Sequence, residues 1–359
     1  MNRREFVKTG AVTAGAAALG GASGAAAADV TPEINGMPTV KLPRGGDVMP
    51  LFGLGTGPLI PIYTELPREE QVALLRHAYD QGIRYFDTAV SYRTEPLVGD
   101  ATEDIRDKVY INTKVWAVED PKRLPRIQIE QSLRNLKTDL IDCVKIHCPY
   151  DYDYGMVVAD ELEKLRGEGK IRHIGLSNHI YFEQTLKLID SGRFDEVLLA
   201  KCYFPKGERE IISQYNWEFL EASVARAHEL GMNIIGMKAL GGTVLGRPST
   251  SYVADYPEDR RRRLPGAAIR WAYSDPRVHF YVIGVGRRED VDETLAVFQG
   301  DMRPTNDDRM VLADFSARLW DSEGIRQMVV PFATADAERW ISEGARKALE
   351  RKKAREEAS

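Results

Sequence analysis

From residue 50 onward, apolar runs of four to seven residues alternate with longer amphipathic stretches. The runs are short, rich in branched and aromatic residues and bounded by turn residues, which predicts strands; the stretches between them repeat apolar positions at helical spacing. The predicted strands are Leu51–Gly55, Ile83–Asp87, Val109–Lys114, Ile141–His147, Arg172–Ser177, Glu196–Cys202, Asn233–Lys238 and Phe280–Gly284. Helices are expected over Arg68–Gln81, Glu95–Arg106, Leu124–Leu136, Val157–Arg166, Tyr181–Ile189, Trp217–Glu229, Leu264–Tyr273 and Glu289–Phe298. Gly82, Gly169, Gly192 and Gly231 stand just past four of these helices, where a left-handed residue ends the turn.

Eight strand–helix units over about 250 residues predict a (β/α)8 TIM barrel. A doubly wound sheet is the alternative, but it should carry G-x-G-x-x-G after its first strand. "LFGLGTG" has other glycine spacing and no helix directly behind it.

A barrel builds its active site at the C-terminal ends of its strands, which makes the polar residues there one set. Strand two ends in Asp87, with Tyr92 in the following loop; strand three ends in Lys114 and strand four in His147. Strand five ends in Ser177-Asn178, six in Lys201 and seven in Lys238. A tyrosine is a weak acid, with a pKa of about 10, and a nearby ammonium favours its phenolate. Asp87 can hold Lys114, Lys114 can tune Tyr92, and Tyr92 can give or take the proton on a substrate oxygen. A histidine on the next strand can orient that oxygen. The set suits carbonyl–alcohol interconversion, and the hydride must come from a bound nicotinamide.

The stretches "GIRYFDTAVSYRTEPLVGDA", "LRNLKTDLIDCVKIHCP" and "LEKLRGEGKIRHIGLSNH" resemble three long motifs of the aldo-keto reductase family, in order, with "VKLPRGGDVMPLFGLGTG" similar to its opening. The likeness runs from about Thr39 to Phe298 and implies a catalytic tetrad of Asp87, Tyr92, Lys114 and His147. It also implies nicotinamide contacts at Gly55, Thr56, Ser177 and Asn178, and a pocket-lining role for Trp116. Further cofactor positions fall on Lys201, Met237, Leu240, Gly242, Gly284 and Arg287. Three of these segments depart from the family pattern: Lys201 stands for the usual Gln, Met237 for the usual stacking Tyr, and Asp290 and Thr294 for the usual Arg and Asn. Arg287 and Arg288 can hold a 2′-phosphate instead, so NADP is expected, with NAD the alternative.

The N-terminus changes the expected location. Arg3 and Arg4 precede an Ala/Gly-rich run to Ala28, in a pattern that resembles a twin-arginine signal and implies export of the folded chain, to the periplasm or beyond, by that machinery. The expected organisation is a signal peptide over 1–28, a barrel over 29–335 and a charged tail over 336–359. Free nicotinamide cofactor is scarce outside the cytoplasm, which raises a tightly retained cofactor, with "GGTVLGRPSTSY" either its closing loop, setting Arg247 on the pyrophosphate, or a mobile surface loop. Two rival readings follow: a closed-cycle oxidoreductase or isomerase, and a non-catalytic nucleotide-binding regulatory barrel.

Composition adds exclusions. The net charge of −5 offers nothing basic enough for general nucleic-acid binding. Cys143, Cys148 and Cys202 do not make a disulfide framework. Cys148 lies beside His147, but no His or carboxylate stands at a usual ligand spacing, so no metal is expected. Tyr150, Tyr152 and Tyr154 are expected in a solvated loop. A small carbonyl or alcohol is the expected partner, and oligomeric state is not read from the sequence.

Overall fold

The structure is a computed structural model that describes residues 31–57, 66–204 and 212–322, with isolated positions between 350 and 357. The expected signal segment and nearly all of the expected tail lie outside the described residues.

Three strands, β1 (Thr31–Ile34), β2 (Met37–Lys41) and β3 (Val48–Pro50), form a small antiparallel sheet that the apolar pattern did not predict. The barrel strands follow: β4 (Phe52–Gly55), β5 (Tyr85–Asp87), β6 (Tyr110–Val115), β7 (Ile141–His147), β8 (Ile171–Asn178), β9 (Glu196–Ala200), β10 (Asn233–Met237) and β11 (Phe280–Gly284). Each pairs in parallel with its chain neighbour, and β11 returns to β4 to close the barrel. Helices α1 (Arg68–Asp80), α2 (Glu95–Thr102), α3 (Leu124–Asn135), α4 (Tyr152–Gly167), α5 (Phe182–Asp190), α6 (Gln214–Glu229), α7 (Leu264–Ala272) and α8 (Arg288–Phe298) succeed the strands in turn. The fold is the predicted (β/α)8 barrel, with most boundaries shifted by one to five residues. Helix α4 begins five residues early because Asp151 caps it, its carboxylate accepting from the Tyr154 amide at 3.0 Å. The glycines at 82, 169, 192 and 231 all adopt positive φ, as their places after helices predicted.

The N-terminal sheet packs at the end of the barrel opposite the loops that carry the tetrad. The turn between β2 and β3 is pinned to the start of β10: the Arg44 amide donates to Asn233 Oδ1 at 2.9 Å, and Asn233 Nδ2 donates back to the Arg44 carbonyl at 3.2 Å. In the same turn Gly45, at φ +82°, has His173 Nε2 2.8 Å from where a Cβ would stand.

A further helix, α9 (Asn306–Asp321), lies beyond the predicted elements. Thr305 and Asp308 form a reciprocal capping box at its start. Its buried Val311, Leu312, Phe315 and Leu319 join Leu264, Ala267 and Ala268 of α7 in a second hydrophobic core, separate from the main one. Arg270 clamps Asp308 with bonds of 2.8 and 2.6 Å. Among the described residues no helix is long and apolar enough to cross a membrane.

Candidate active site

Side chains alternate across a strand, so Tyr85 and Asp87 of β5, Tyr110, Asn112 and Lys114 of β6, and Cys143, Lys145 and His147 of β7 share the barrel interior. Parallel pairing sets Asp87 beside Asn112, Lys114 beside Lys145 and His147 beside Ser177. The tetrad is therefore a product of register.

Lys114 Nζ donates to Asp87 Oδ2 at 2.6 Å and to the Thr88 carbonyl at 2.8 Å. Its ammonium stands 4.7 Å from the centre of the Tyr92 ring. Burial pulls the Lys114 pKa below the ordinary lysine value, while the Asp87 charge and hydrogen bond resist that shift. Tyr92 ends a short 3-10 turn, Val90–Tyr92, and its ring meets that of His147 edge-on at 5.6 Å. Burial, with the nearby Lys114 charge, lowers the His147 pKa to about 3, so the imidazole is neutral at physiological pH. Ser91 Oγ lies 3.5 Å from His147 Nδ1; when that hydroxyl donates, the ring proton sits on Nε2.

Beneath the tetrad runs a polar network absent from the sequence reading. Asn112 Nδ2 donates a short bond to Asp87 Oδ1, and Asn112 Oδ1 accepts from Lys145 Nζ at 2.5 Å. Lys145 and Glu196 form an ion pair with neither side chain exposed. Tyr85 donates to Glu196 Oε1 at 2.8 Å and Tyr110 to Oε2 at 3.1 Å. Burial raises the Glu196 pKa, but the Lys145 charge outweighs it and holds the carboxyl below the usual range. Burial, then the Glu196 charge, push both phenols well above theirs, so they remain donors. Gly175 makes room for this network: a Cβ there would lie 2.7 Å from the Glu196 carbonyl and 3.0 Å from Lys145 Cγ. The available signal was the alternation Cys143-Lys145-His147 on a strand already assigned to the barrel.

Trp116 stands above the tetrad, its ring edge-on to His147 at 6.0 Å. Gln128 fixes its backbone, accepting from the Trp116 amide at 2.9 Å and donating to its carbonyl at 2.6 Å. The tyrosines expected in a solvated loop are used internally. Tyr152 begins α4, Tyr154 is buried with its oxygen accepting from the Ala117 amide at 3.3 Å, and Tyr150 stacks on Tyr154 at 4.9 Å.

The expected cofactor positions divide into two groups. Ser177 is fully buried at the end of β8, and its Oγ has no hydrogen-bond partner among the described residues. An orphaned hydroxyl beside His147 fits a carboxamide that would satisfy it. Gly55 ends β4 opposite both Asp87 and Gly284 and packs within 2.9 Å of Val282, measured from a hypothetical Cβ. Met237 ends β10 in the barrel, followed by Leu240 and by Gly242 at φ +60°. The second group is committed elsewhere. Asn178 Nδ2 donates to the Pro149 carbonyl and to Thr185 Oγ1, and its Oδ1 accepts from the amides of His179, Ile180 and Tyr181, so its side chain builds the loop after β8. Thr56 donates from amide and hydroxyl to the Asp87 carbonyl, tying β4 to β5. Lys201 is held by Glu221 and Asp275, in a cluster apart from the tetrad. Arg287 is half exposed and pairs with Asp290 at 3.2 Å, while Asp290 also accepts from the Gly286 amide. The Arg247 side chain lies outside the described residues.

The register also brings together a trio that spacing along the chain did not reveal. His147, Cys148 and His179 have ligand atoms all within 4.8 Å of one another.

A family model for the aldo/keto reductase family matches residues 52–308, more than half of the chain. The chain belongs to the aldo/keto reductase family. Methylglyoxal reductase DkgA of Escherichia coli O157:H7 is 33% identical over 157 residues, covering 43% of this chain and 54% of that protein. NADPH-dependent codeinone reductase 1-5 of Papaver somniferum is 35% identical over 136 residues, 36% of this chain and 41% of that protein. The chain thus spans about half the length of the curated relatives it matches. An aldo-keto reductase from Bacillus halodurans in its holo form superposes with a TM-score of 0.61 at 19% identity, covering 78% of this chain and 96% of that one. An aldo/keto reductase from Klebsiella pneumoniae in complex with NADP and acetate gives 0.60 at 22% identity, covering 77% and 94%. At these identities the structural likeness speaks for the fold, and the family assignment rests on the sequence match. In this aldo/keto reductase the family match begins at β4, leaving the N-terminal sheet outside it, and ends at the capping box of α9.

Proposed function

We propose that this aldo/keto reductase is an NADPH-dependent carbonyl reductase for small aldehydes or ketones, with Tyr92 as its general acid. The observation that carries the reading is the Lys114–Asp87 pair, buried at 2.6 Å, with its ammonium under the Tyr92 ring. Bound nicotinamide supplies the hydride. Tyr92 donates its phenolic proton to the substrate oxygen as negative charge develops there. Lys114 stabilises the phenolate left behind, and Asp87 keeps Lys114 charged and directed. His147, neutral, donates its ring N–H to the same oxygen and orients the carbonyl. Trp116 walls the substrate space beside His147.

NADP is supported by two relatives: a codeinone reductase named as NADPH-dependent and the Klebsiella pneumoniae protein in complex with NADP. In this chain Arg287 and Arg288 lie in the segment expected to meet the 2′-phosphate, with Asp290 already paired to Arg287. Part of the phosphate attraction is thereby spent, so the preference for NADPH over NADH should be modest.

The test follows NADPH oxidation with methylglyoxal and a panel of small carbonyls. Wild type should turn over, and Tyr92→Phe should lose about 10²- to 10⁴-fold in kcat while keeping its nucleotide Kd. Failure to bind either NADPH or NADH, or a Tyr92→Phe variant as active as wild type, would sink the proposal. We also propose that residues 1–28 direct export. Replacing Arg3 and Arg4 by lysine should then hold the protein in the cytoplasmic fraction, and unchanged fractionation would refute it.

A further inference from the structure

Beside the oxygen-orienting imidazole stands a thiol that the carbonyl chemistry does not use. Cys148 follows His147 directly, is buried, and adopts a left-handed backbone at φ +49°, unusual for a residue with a side chain. Its amide donates to the Ser177 carbonyl at 2.7 Å, which fixes that turn against the end of β8. His179 follows β8 by one residue, and its amide donates to Asn178 Oδ1 at 2.9 Å. Two strand ends, each anchored by its own hydrogen bonds, thus present an imidazole, a thiol and a second imidazole to one point, with all ligand atoms within 4.8 Å of one another. The two imidazole rings are 6.5 Å apart and tilted by 48°.

We propose that His147, Cys148 and His179 form a site for a borderline divalent cation, with Zn²⁺ the best fit, and that its occupancy excludes the carbonyl substrate. The donor chemistry selects the ion: one thiolate and two neutral imidazoles suit Zn²⁺ and are wrong for Mg²⁺ or Ca²⁺, which take oxygen ligands. Three protein ligands leave a fourth tetrahedral position for water. With Zn–S near 2.3 Å and Zn–N near 2.0 Å, tetrahedral ligands stand roughly 3.3 to 3.8 Å apart, so the trio need close by about an ångström. Side-chain rotation of His179, the only partly exposed member, can supply that movement. On binding, the Cys148 thiol loses its proton to solvent and its sulfur donates the electron pair to the metal. The Lys114 ammonium, whose charge reaches His147, opposes a cation there, and is itself paired with Asp87 at 2.6 Å. The exclusion acts through Nε2, the nitrogen whose proton serves the substrate oxygen when Ser91 donates to Nδ1: as a metal ligand it gives its lone pair to the cation and has no proton left to donate.

The exclusion half of the proposal rests on the reductase reading above, whereas metal binding stands by itself. Both are tested on the full-length chain. Co²⁺ added to metal-free protein should give the absorption of a tetrahedral site with a thiolate-to-metal charge-transfer band. Calorimetry should find one Zn²⁺ per chain. Cys148→Ser should lose the charge-transfer band and bind Zn²⁺ at least tenfold more weakly, and His179→Gln should also weaken it at least tenfold, each checked for native circular dichroism. In wild type, Zn²⁺ should inhibit competitively against the carbonyl, and the two variants should escape that inhibition. Metal binding is overturned if wild type takes up no Zn²⁺, or if both variants bind it as wild type does. The exclusion is overturned if Zn²⁺ binds and leaves turnover unchanged. A chain that binds Zn²⁺ but never turns over any carbonyl would refute the reductase reading and leave the metal site standing.

Discussion

Asn112 holds Asp87 from inside the barrel, donating one amide hydrogen to the carboxylate while its own oxygen accepts from Lys145. The Lys114–Asp87 pair is therefore continuous with the Lys145–Glu196 pair below it, through one uncharged side chain. On the proposed mechanism this makes Asn112 a positioning residue. Asn112→Leu should leave Asp87 short of a partner and lower kcat about tenfold or more, with little change in nucleotide Kd. A purely structural role would instead lower thermal stability with kcat per folded molecule unchanged, so both are measured on the same preparation.

Lys145 is wholly buried against an equally buried Glu196. Lys145→Met strands that carboxylate in the barrel and should cost about 3–5 kcal/mol in urea unfolding. Replacing Glu196 as well, by Leu, removes the stranded charge and should recover much of the loss. A double variant no more stable than Lys145→Met would show that the two charges do not depend on each other.

His147 predicts a pH dependence with a definite sign. Its folded pKa, about 3, lies below the unfolded value of about 6.5, so between those pH values the unfolded chain binds the extra proton. Stability from this group is therefore whole above about pH 6.5 and declines as pH falls, by at most about 1.4 kcal/mol per unit. His147→Gln should flatten that part of the profile relative to wild type. Parallel profiles for the two proteins would refute the assignment.

Ser177 carries a buried hydroxyl with no hydrogen-bond partner among the described residues. If a nicotinamide carboxamide satisfies it, Ser177→Ala should weaken NADPH binding about three- to tenfold, the value of one neutral hydrogen bond. Equal affinity, read by fluorescence titration, would show that the hydroxyl does not meet the cofactor.

The barrel strands were legible because they depend on short-range pattern, and the polar residues that end them, Asp87, Lys114 and His147 among them, could be grouped before register was known to bring them together. Alternating apolar runs place the strands, and the last polar residue of each run falls at the same rim. The Lys145–Glu196 network was hidden because its partners meet across the barrel, where no periodicity along the chain points. Asn178 and Lys201 show the complementary limit. Their positions at strand ends were readable, but whether a side chain faces the cofactor or a neighbouring loop depends on partners such as Thr185 and Glu221, brought in by packing. The nearness of His179 to Cys148 was missed for a related reason, since His179 follows the next strand and parallel register makes them neighbours. The N-terminal sheet escaped because its strands are short, with Pro38 inside β2, Pro43 in the turn after it and Pro50 at the end of β3.

Helix α9 lies almost entirely beyond the part of the chain that matches the family, yet its inner face completes a core with Leu264, Ala267 and Ala268. An expression fragment trimmed at residue 305 would keep every barrel strand and the whole tetrad. It would also lay bare the greasy flank of α7, and such a product should clump in the test tube long before its chemistry could be judged.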